Sequence, residues 1–318
     1  MYNLSVTVVI PALNEENFLE RCLASLKHLE YPSELLKVIV ADNGSEDRTR
    51  EIARQYTDAV INVPRKSIAH TRNVGAAETT SDIIAFIDAD IIVHPNWLTN
   101  AIPHFQNEDV VAVGSYPDVI QEESNQLQQT WSKLCRSSSK KPVPVDWLPS
   151  ANLIVRRSAF NQVNGFNENL ITCEDSDLGY RLQALGKIIN APGALVYHLR
   201  EPKTFFELFK KEVWHSNGNL SGVFNHGFKL TELPSLVLPA LFGAGIMACM
   251  AAPFLGKTVL IVGFISIAIT LCLYVGKGRK KVGNTGYLFY VFFVYLAARS
   301  ISFYRDLFHL IIFKKSWR

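Results

Sequence analysis

Two stretches without a single charged side chain constrain this chain more than anything else in it. One runs from Leu233 to Gly256 and the other from Thr258 to Gly276, with only Lys257 between them. Crossing a hydrocarbon core takes roughly 20 apolar residues in a helix. A soluble helix of that length nearly always keeps one polar face. A buried hairpin in a soluble core is the alternative, but the missing polar faces favour a membrane hairpin over 233–276. The basic cluster KGRKK, Lys277–Lys281, follows the second run and only Lys257 sits on the other side. By the bias of Lys and Arg toward the cytoplasmic loops, the body of the chain is expected on the cytoplasmic face of an inner membrane. A third apolar segment, 285–313, contains Arg299, Arg305 and Asp306 and is followed by KKSWR. It is expected to be either membrane-embedded or laid along the interface.

The residues before these runs mix charge and apolar character as soluble domains do. The formal net charge of +3 gives no ground for a nucleic-acid partner. The five cysteines have neither zinc-site nor CxxC spacing, which points to reduced thiols in a cytoplasmic compartment. MYNLSVTVVIPALNEE opens without a basic region and enters a strand pattern at once, unlike a signal peptide.

Strand and helix patterns then alternate. SVTVVI reads as a strand stopped by Pro11, followed by a helix from about Glu15 to Leu29. LKVIVAD is the second strand and NGSEDRTREIA a turn and helix, with Ser45 as its cap. AVINV, SIAHTRNVGAAE and IIAFID continue the alternation. The pattern predicts an α/β fold, a mostly parallel sheet with helices on both faces. Such sheets bind ligands beyond the carboxyl ends of their strands, where the clusters around Asn14, Asp42 and Asp88 fall. Between about Asp118 and Val145 the pattern fades, and a binding loop or lid is expected.

Asp88 and Asp90 interrupt the otherwise apolar run IIAFIDADIIV. Carboxylates at a strand's end suit a hard divalent cation, Mg²⁺ or Mn²⁺, whose remaining positions go to water and phosphate oxygens. A turn-capping aspartate pair is the competing reading. Glu174, Asp175 and Asp177 open a helical pattern in CEDSDL, where the positive end of a helix favours acids whatever their use.

Taken in order, VVIPALNEE, VIVADNGSEDRT, HTRNVGA, FIDAD, NLIVRRSAFNQVNGFNE, CEDSDLGYRL and VYH resemble a family 2 glycosyltransferase of the GT-A fold over about Val6 to Arg200. With its C-terminal spans, the chain is similar to membrane-attached bacterial members of the exopolysaccharide or succinoglycan type. The resemblance implies a nucleotide pocket lined by Pro11, Asn14 and Glu15, with Asp42 accepting a hydrogen bond from the base. Relatives often carry a second acid after it; here Asn43 stands there, and a UDP-sugar is expected ahead of a GDP-sugar. Arg72 would lie near base or phosphates, Asp88 would reach the ribose, and Asp90 with His198, joined by Asp88, would ligate the metal. Asp175 would be the general base, with Glu174 placing the acceptor. Plainer readings stay open beside these: a capping Asp42, a solvated Arg72, a core His198, an Arg181 in a structural ion pair.

The expected layout is a catalytic domain over 1–202, an amphipathic interfacial helix and linker over 203–232, the hairpin, and the third apolar helix. The expected activity is metal-assisted, inverting transfer of one sugar to a lipid-linked or polysaccharide acceptor at the membrane. No QxxRW motif is present, and QQTW at Gln128–Trp131 lacks the arginine, so one sugar per encounter is expected. A sugar-nucleotide nucleotidyltransferase would want a glycine-rich, basic turn after the first strand, where PALNEE stands. A non-catalytic membrane-bound sensor is opposed by the intact acids.

Overall fold

The computed structural model describes residues 4–170, 172–216 and 233–313. They form two compact units: one holds residues up to Glu123 together with Cys135–Glu201, the other Ser124–Leu134 with the described residues from Pro202 onward.

In the first unit, β1 (Val6–Ala12), α1 (Leu19–Leu26), β2 (Leu36–Asp42), α2 (Thr49–Arg54), β3 (Val60–Asn62), α3 (Ile68–Ala77) and β4 (Ile83–Ile87) follow the expected alternation. They are followed by β5 (Ile91–Val93), α4 (Trp97–Ala101) and β6 (Val110–Gly114). The eight-stranded sheet has the order β3-β2-β1-β4-β8-β6-β9-β7, completed by β7 (Val143–Val145), β8 (Asn152–Arg156) and β9 (Lys187–Asn190). β1 is parallel to β2 and β4, β2 to β3, and β6 to β9, whereas β8 runs antiparallel to both β4 and β6. The sheet is thus mostly parallel with flanking helices, with β8 reversed at its centre and β7, antiparallel to β9, reversed at its edge.

Both faces are covered, which is why β1 is buried at every position. Val6, Val8 and Ile10 point into one apolar cluster with Leu19, Cys22, Leu23 and Leu26 of α1. Val9 points into the other, with Ala69 and Ala76 of α3 and Phe160 and Phe166. Burying a side chain such as Leu23 stabilises the fold by roughly 1.5–3 kcal/mol. α3 approaches closely because Gly75 faces Val9; a Cβ there would come within 2.5 Å of the valine's Cγ1.

Three local expectations need correction. β1 does not stop at Pro11: it continues to Ala12, with Pro11 opposite Ala41. The ladder to β4 ends at Val9, and proline is tolerated where a partner strand has ended. Ser45 does not cap α2; its Oγ accepts from the Asn14 N–H at 2.9 Å, and the Thr49 N–H is met by Asp47 Oδ1 at 3.0 Å. The stretch from Asp118 to Val145 is not irregular throughout. It contains α5 (Gln126–Cys135) and β7, because Leu127, Trp131 and Leu134 recur at helical spacing and find apolar partners in the second unit.

The second unit gathers that helix with α8 (Phe205–His215), α9 (Leu233–Leu255), α10 (Lys257–Val282) and α11 (Thr285–Phe313); α6 (Arg157–Gln162) and α7 (Glu174–Leu182) belong to the first. The last three helices are each long and apolar enough to cross a membrane. The charges inside α11 are matched: Arg299 holds the buried Glu212 of α8 at 2.8 Å, and Arg305 pairs with Asp306 at 3.1 Å. α8 is capped by Thr204, whose side chain accepts from the Glu207 N–H. It buries Leu208 and leaves Phe206 and Trp214 exposed. The rest of the expected interfacial segment, 217–232, lies outside the described residues.

Candidate active site

The loops after β1 and β2 interlock through side-chain-to-backbone bonds. The Glu15 N–H donates to Thr49 Oγ1 at 2.7 Å, and the Glu46 N–H donates to Asn14 Oδ1 at 2.9 Å. Asn14 adopts φ 55°, a left-handed conformation that asparagine tolerates better than most residues. The side chain of Asn14 therefore shapes this corner of the site, and Pro11 is a buried part of the strand beneath it.

Asp42 ends β2 and is fully buried. Its Oδ2 accepts from the Ser45 N–H at 3.1 Å and lies 3.6 Å from Arg50 Nε, while its Oδ1 has no partner among the described residues. Asn43, the residue after it, is occupied by the backbone of Lys66, donating to its carbonyl and accepting from its N–H, both at 3.0 Å. A buried carboxylate oxygen left unpaired is costly, and it fits a ligand that brings one N–H.

Asp88 and Asp90 part company at the tip of β4. Asp88 Oδ1 accepts from Arg72 Nη2 at 2.7 Å, and Arg72 Nη1 donates to Glu174 Oε1 at 2.8 Å. Arg72 is not a solvated surface charge: it is 2 % exposed and lies over the Phe166 ring. One guanidinium thus ties the end of β4 to the first turn of α7. Asp90 faces the other way. β5 pairs antiparallel with β10 (Val196–His198), setting His198 opposite Ile91. His198 Nε2 comes 3.5 Å from Asp90 Oδ2. Arg200 reaches the same oxygen at 3.0 Å and Glu15 Oε1 at 2.5 Å.

Sequence reasoning missed Arg200. Its signal was only its place two residues beyond His198, just past the end of β10. Burial pushes the Glu15 carboxyl up, against the pull of Arg200, and Glu15 Oε2 is buried without a partner among the described residues. Among the described residues no three His, Cys, Asp or Glu side chains converge into a preformed metal cage. Asp90 and His198 nevertheless offer the hard oxygen and imidazole nitrogen that a divalent cation accepts when phosphates complete its shell. Asp88, the third expected ligand, has its Oδ1 engaged by Arg72.

On the other side of Arg72, α7 begins at Glu174, just after Cys173 in a left-handed conformation at φ 65°. A non-glycine residue held there marks backbone fixed by its surroundings. Asp175 is raised from an ordinary 3.8 to about 7: burial lifts it most and the Glu174 carboxylate next, against the Ser176 N–H, the Arg72 charge and the Ser150 N–H. Arg181 sits in a structural ion pair: it holds Asp177 at 2.5 Å and donates to the carbonyls of Val163 and Gly165. The site therefore presents a buried acceptor oxygen at Asp42, a carboxylate and an imidazole side by side at Asp90 and His198, and a raised carboxyl at Asp175 behind a buried arginine.

Comparison with known proteins agrees in kind. Residues 7–188 match the model of the family described as Glycosyl transferase family 2. The chain is 28% identical over 256 residues to glycosyltransferase AglE of Haloferax volcanii, covering 75% of this chain and 80% of the relative. It is 33% identical over 205 residues to pre-mycofactocin glycosyltransferase of Mycobacterium tuberculosis, covering 61% of this chain and only 42% of that protein. Among solved structures, the mannosyltransferase PcManGT from Pyrobaculum calidifontis, in complex with GDP-Man and Mn²⁺, superposes with a TM-score of 0.66 at 18% identity, over 96% of this chain and 88% of that one. At that identity the likeness speaks for the fold.

Proposed function

The chain belongs to glycosyl transferase family 2, and from that premise we propose that it moves one sugar from a nucleotide-diphosphate donor to a hydroxyl of a membrane-linked glycan or lipid, inverting the anomeric carbon. The observation that carries this reading is the Arg72 bridge, which brings the donor-side Asp88 and the acceptor-side Glu174 onto one side chain at 2.7 and 2.8 Å. Acids meant for donor and acceptor thereby meet on one guanidinium.

In this mechanism Asp42 Oδ1 receives an N–H of the base. A uracil ring presents a single N–H at its N3, whereas guanine presents two neighbouring donors, and only one Asp42 oxygen is unpartnered. That favours UDP over GDP, although the similar mannosyltransferase is seen with GDP-Man. Asp90 and His198 would hold a Mg²⁺ or Mn²⁺ ion. Such an ion supplies positive charge against the negative charge that grows on the departing diphosphate. Asp175 takes the proton of the acceptor hydroxyl as that oxygen attacks the anomeric carbon from the face opposite the diphosphate. The C–O bond to the diphosphate breaks in the same displacement. A base is most effective when its pKa lies near the working pH, and burial brings Asp175 there. Arg72 holds Glu174 beside it, and Arg200 steadies Glu15 and Asp90.

Three helices long and apolar enough to span a membrane support a membrane-linked acceptor, with the first unit on the cytoplasmic side by the basic KGRKK cluster. The proposed domain layout follows the same division, with 285–313 as a third embedded helix. Asp175→Asn tests the reading: turnover of a UDP-sugar is expected to fall about 10²–10⁴-fold with donor binding kept. Normal turnover in that variant would remove Asp175 as the base.

A further inference from the structure

Two aromatic side chains stand beside Asp175 that the transfer reading leaves unused. Tyr116 follows β6 and Trp147 lies between β7 and β8, and both are partly buried. Their rings meet edge to face, with centroids 6.0 Å apart and planes at 71°.

Separate contacts fix the pair against the helix that carries Asp175. Gly179 lies one turn beyond Asp175 on α7, on the same face. A Cβ at Gly179 would come within 2.3 Å of Trp147 Cβ and 2.8 Å of its Cα, so the glycine is what lets α7 lie against Trp147. The backbone of Ser150, three residues beyond Trp147, is among the groups that hold the Asp175 carboxyl down against its burial. Burial first, and the Asp175 charge second, push the Tyr116 hydroxyl up to about 12, so it remains a donor at neutral pH. Neither that hydroxyl nor the indole N–H of Trp147 makes a hydrogen bond to another described residue.

A ring face beside a base that must deprotonate an alcohol suits a pyranose, whose C–H face packs on an aromatic surface while its hydroxyls reach polar groups at the edge. The guanidinium groups nearby are already matched, Arg136 by Asp118, Arg72 by Asp88 and Glu174, and Arg181 by Asp177. A neutral ring therefore fits this place better than a phosphate. We propose that Tyr116 and Trp147 form a stacking subsite for the acceptor sugar, so that the accepting hydroxyl belongs to a glycan and not to a lipid phosphate or a glyceride. This rests on the transfer reading above.

The test uses the full chain in a detergent that carries no sugar, supplied with UDP- and GDP-sugars and Mn²⁺. Candidate acceptors are octyl β-glucoside, octyl β-galactoside, octyl N-acetyl-β-glucosaminide, dioleoylglycerol and undecaprenyl phosphate. At least one glycoside is expected to be extended. Its KM should rise about tenfold in Tyr116→Ala and in Trp147→Ala, with the donor KM held, and stay within about threefold in Trp147→Phe, which keeps a ring. Should Trp147→Ala fail to fold, Tyr116→Ala still decides the matter. Extension of the glyceride or the phosphate in place of every glycoside overturns the subsite. So does donor hydrolysis with no glycoside extended, or an unchanged glycoside KM in the alanine variants. A wild-type protein that neither hydrolyses nor transfers from any donor would instead remove the transfer reading beneath it.

Discussion

Arg72 and Glu174 are joined by a 2.8 Å hydrogen bond across 102 positions of sequence, and the same guanidinium holds Asp88 at 2.7 Å. Arg72 is buried, so its charge is stable only because both carboxylates are present.

Arg72→Leu leaves Asp88 and Glu174 facing each other without a cation. Removing one partner of a buried pair costs about 3–5 kcal/mol, and thermal unfolding of the variant is expected to show a loss of that size together with lost turnover. Adding Glu174→Gln to that variant should recover part of the stability and none of the activity. Equal melting temperatures for wild type and Arg72→Leu would mean the bridge contributes nothing.

The pH dependence follows from Asp175, raised to about 7. Its base form is lost below that value, so the turnover profile is expected to have an acidic limb centred near pH 7, absent from the residual activity of Asp175→Asn. Stability carries the opposite sign. A folded pKa above the unfolded 3.8 means that the folded state binds the proton more tightly, and ionisation destabilises the protein as pH rises from about 4 to 7. Asp175→Asn should therefore melt higher than wild type at pH 8, with the gap closing toward pH 4.

Asp90 and His198 are the candidate cation ligands, 3.5 Å apart. Chelation by EDTA is expected to lower turnover by on the order of 10²-fold or more, since a metal's charge stabilisation amounts to several kcal/mol, and Mn²⁺ should restore it. Titration of Mn²⁺ followed by calorimetry in the presence of UDP should weaken in His198→Ala. Activity indifferent to EDTA would assign Asp90 to Arg200 alone.

Asp42 leaves one buried oxygen without a partner among the described residues. UDP is expected to raise the melting temperature more than GDP, because a ligand bound only by the folded state stabilises it. Asp42→Asn should reduce the UDP shift. A larger shift with GDP would reverse the donor assignment.

In the second unit, Arg299 and Glu212 form a pair 16% and 3% exposed on their side chains. Glu212→Leu alone should lower thermal stability by about 3–5 kcal/mol, whereas Glu212→Leu with Arg299→Met should recover most of it. Similar losses in single and double variants would show that α8 is held to α11 by apolar packing.

Much of this molecule can be read without coordinates. The alternation of strand and helix, the apolar runs, and the ends of β1, β2 and β4 that carry Asn14, Asp42 and Asp88 all follow from side-chain period and from turn residues, which act over a few neighbours. The reversed β8 does not, because an apolar strand buried on both faces has the same composition in either direction. α5 was obscured by the polar side chains that share it with Leu127 and Trp131, whose partners lie on other helices.

The sequence by itself thus determined which segments become strands, which helices are apolar enough for a membrane, and that acids stand where such a sheet opens. Only the tertiary structure decided how those acids are paired: Asp88 with Arg72, Asp90 beside His198 and Arg200, Asp175 lifted by burial beside Glu174. The reason is that local preference depends on neighbours along the chain, whereas the state of a charge depends on whatever long-range folding sets within a few ångströms of it.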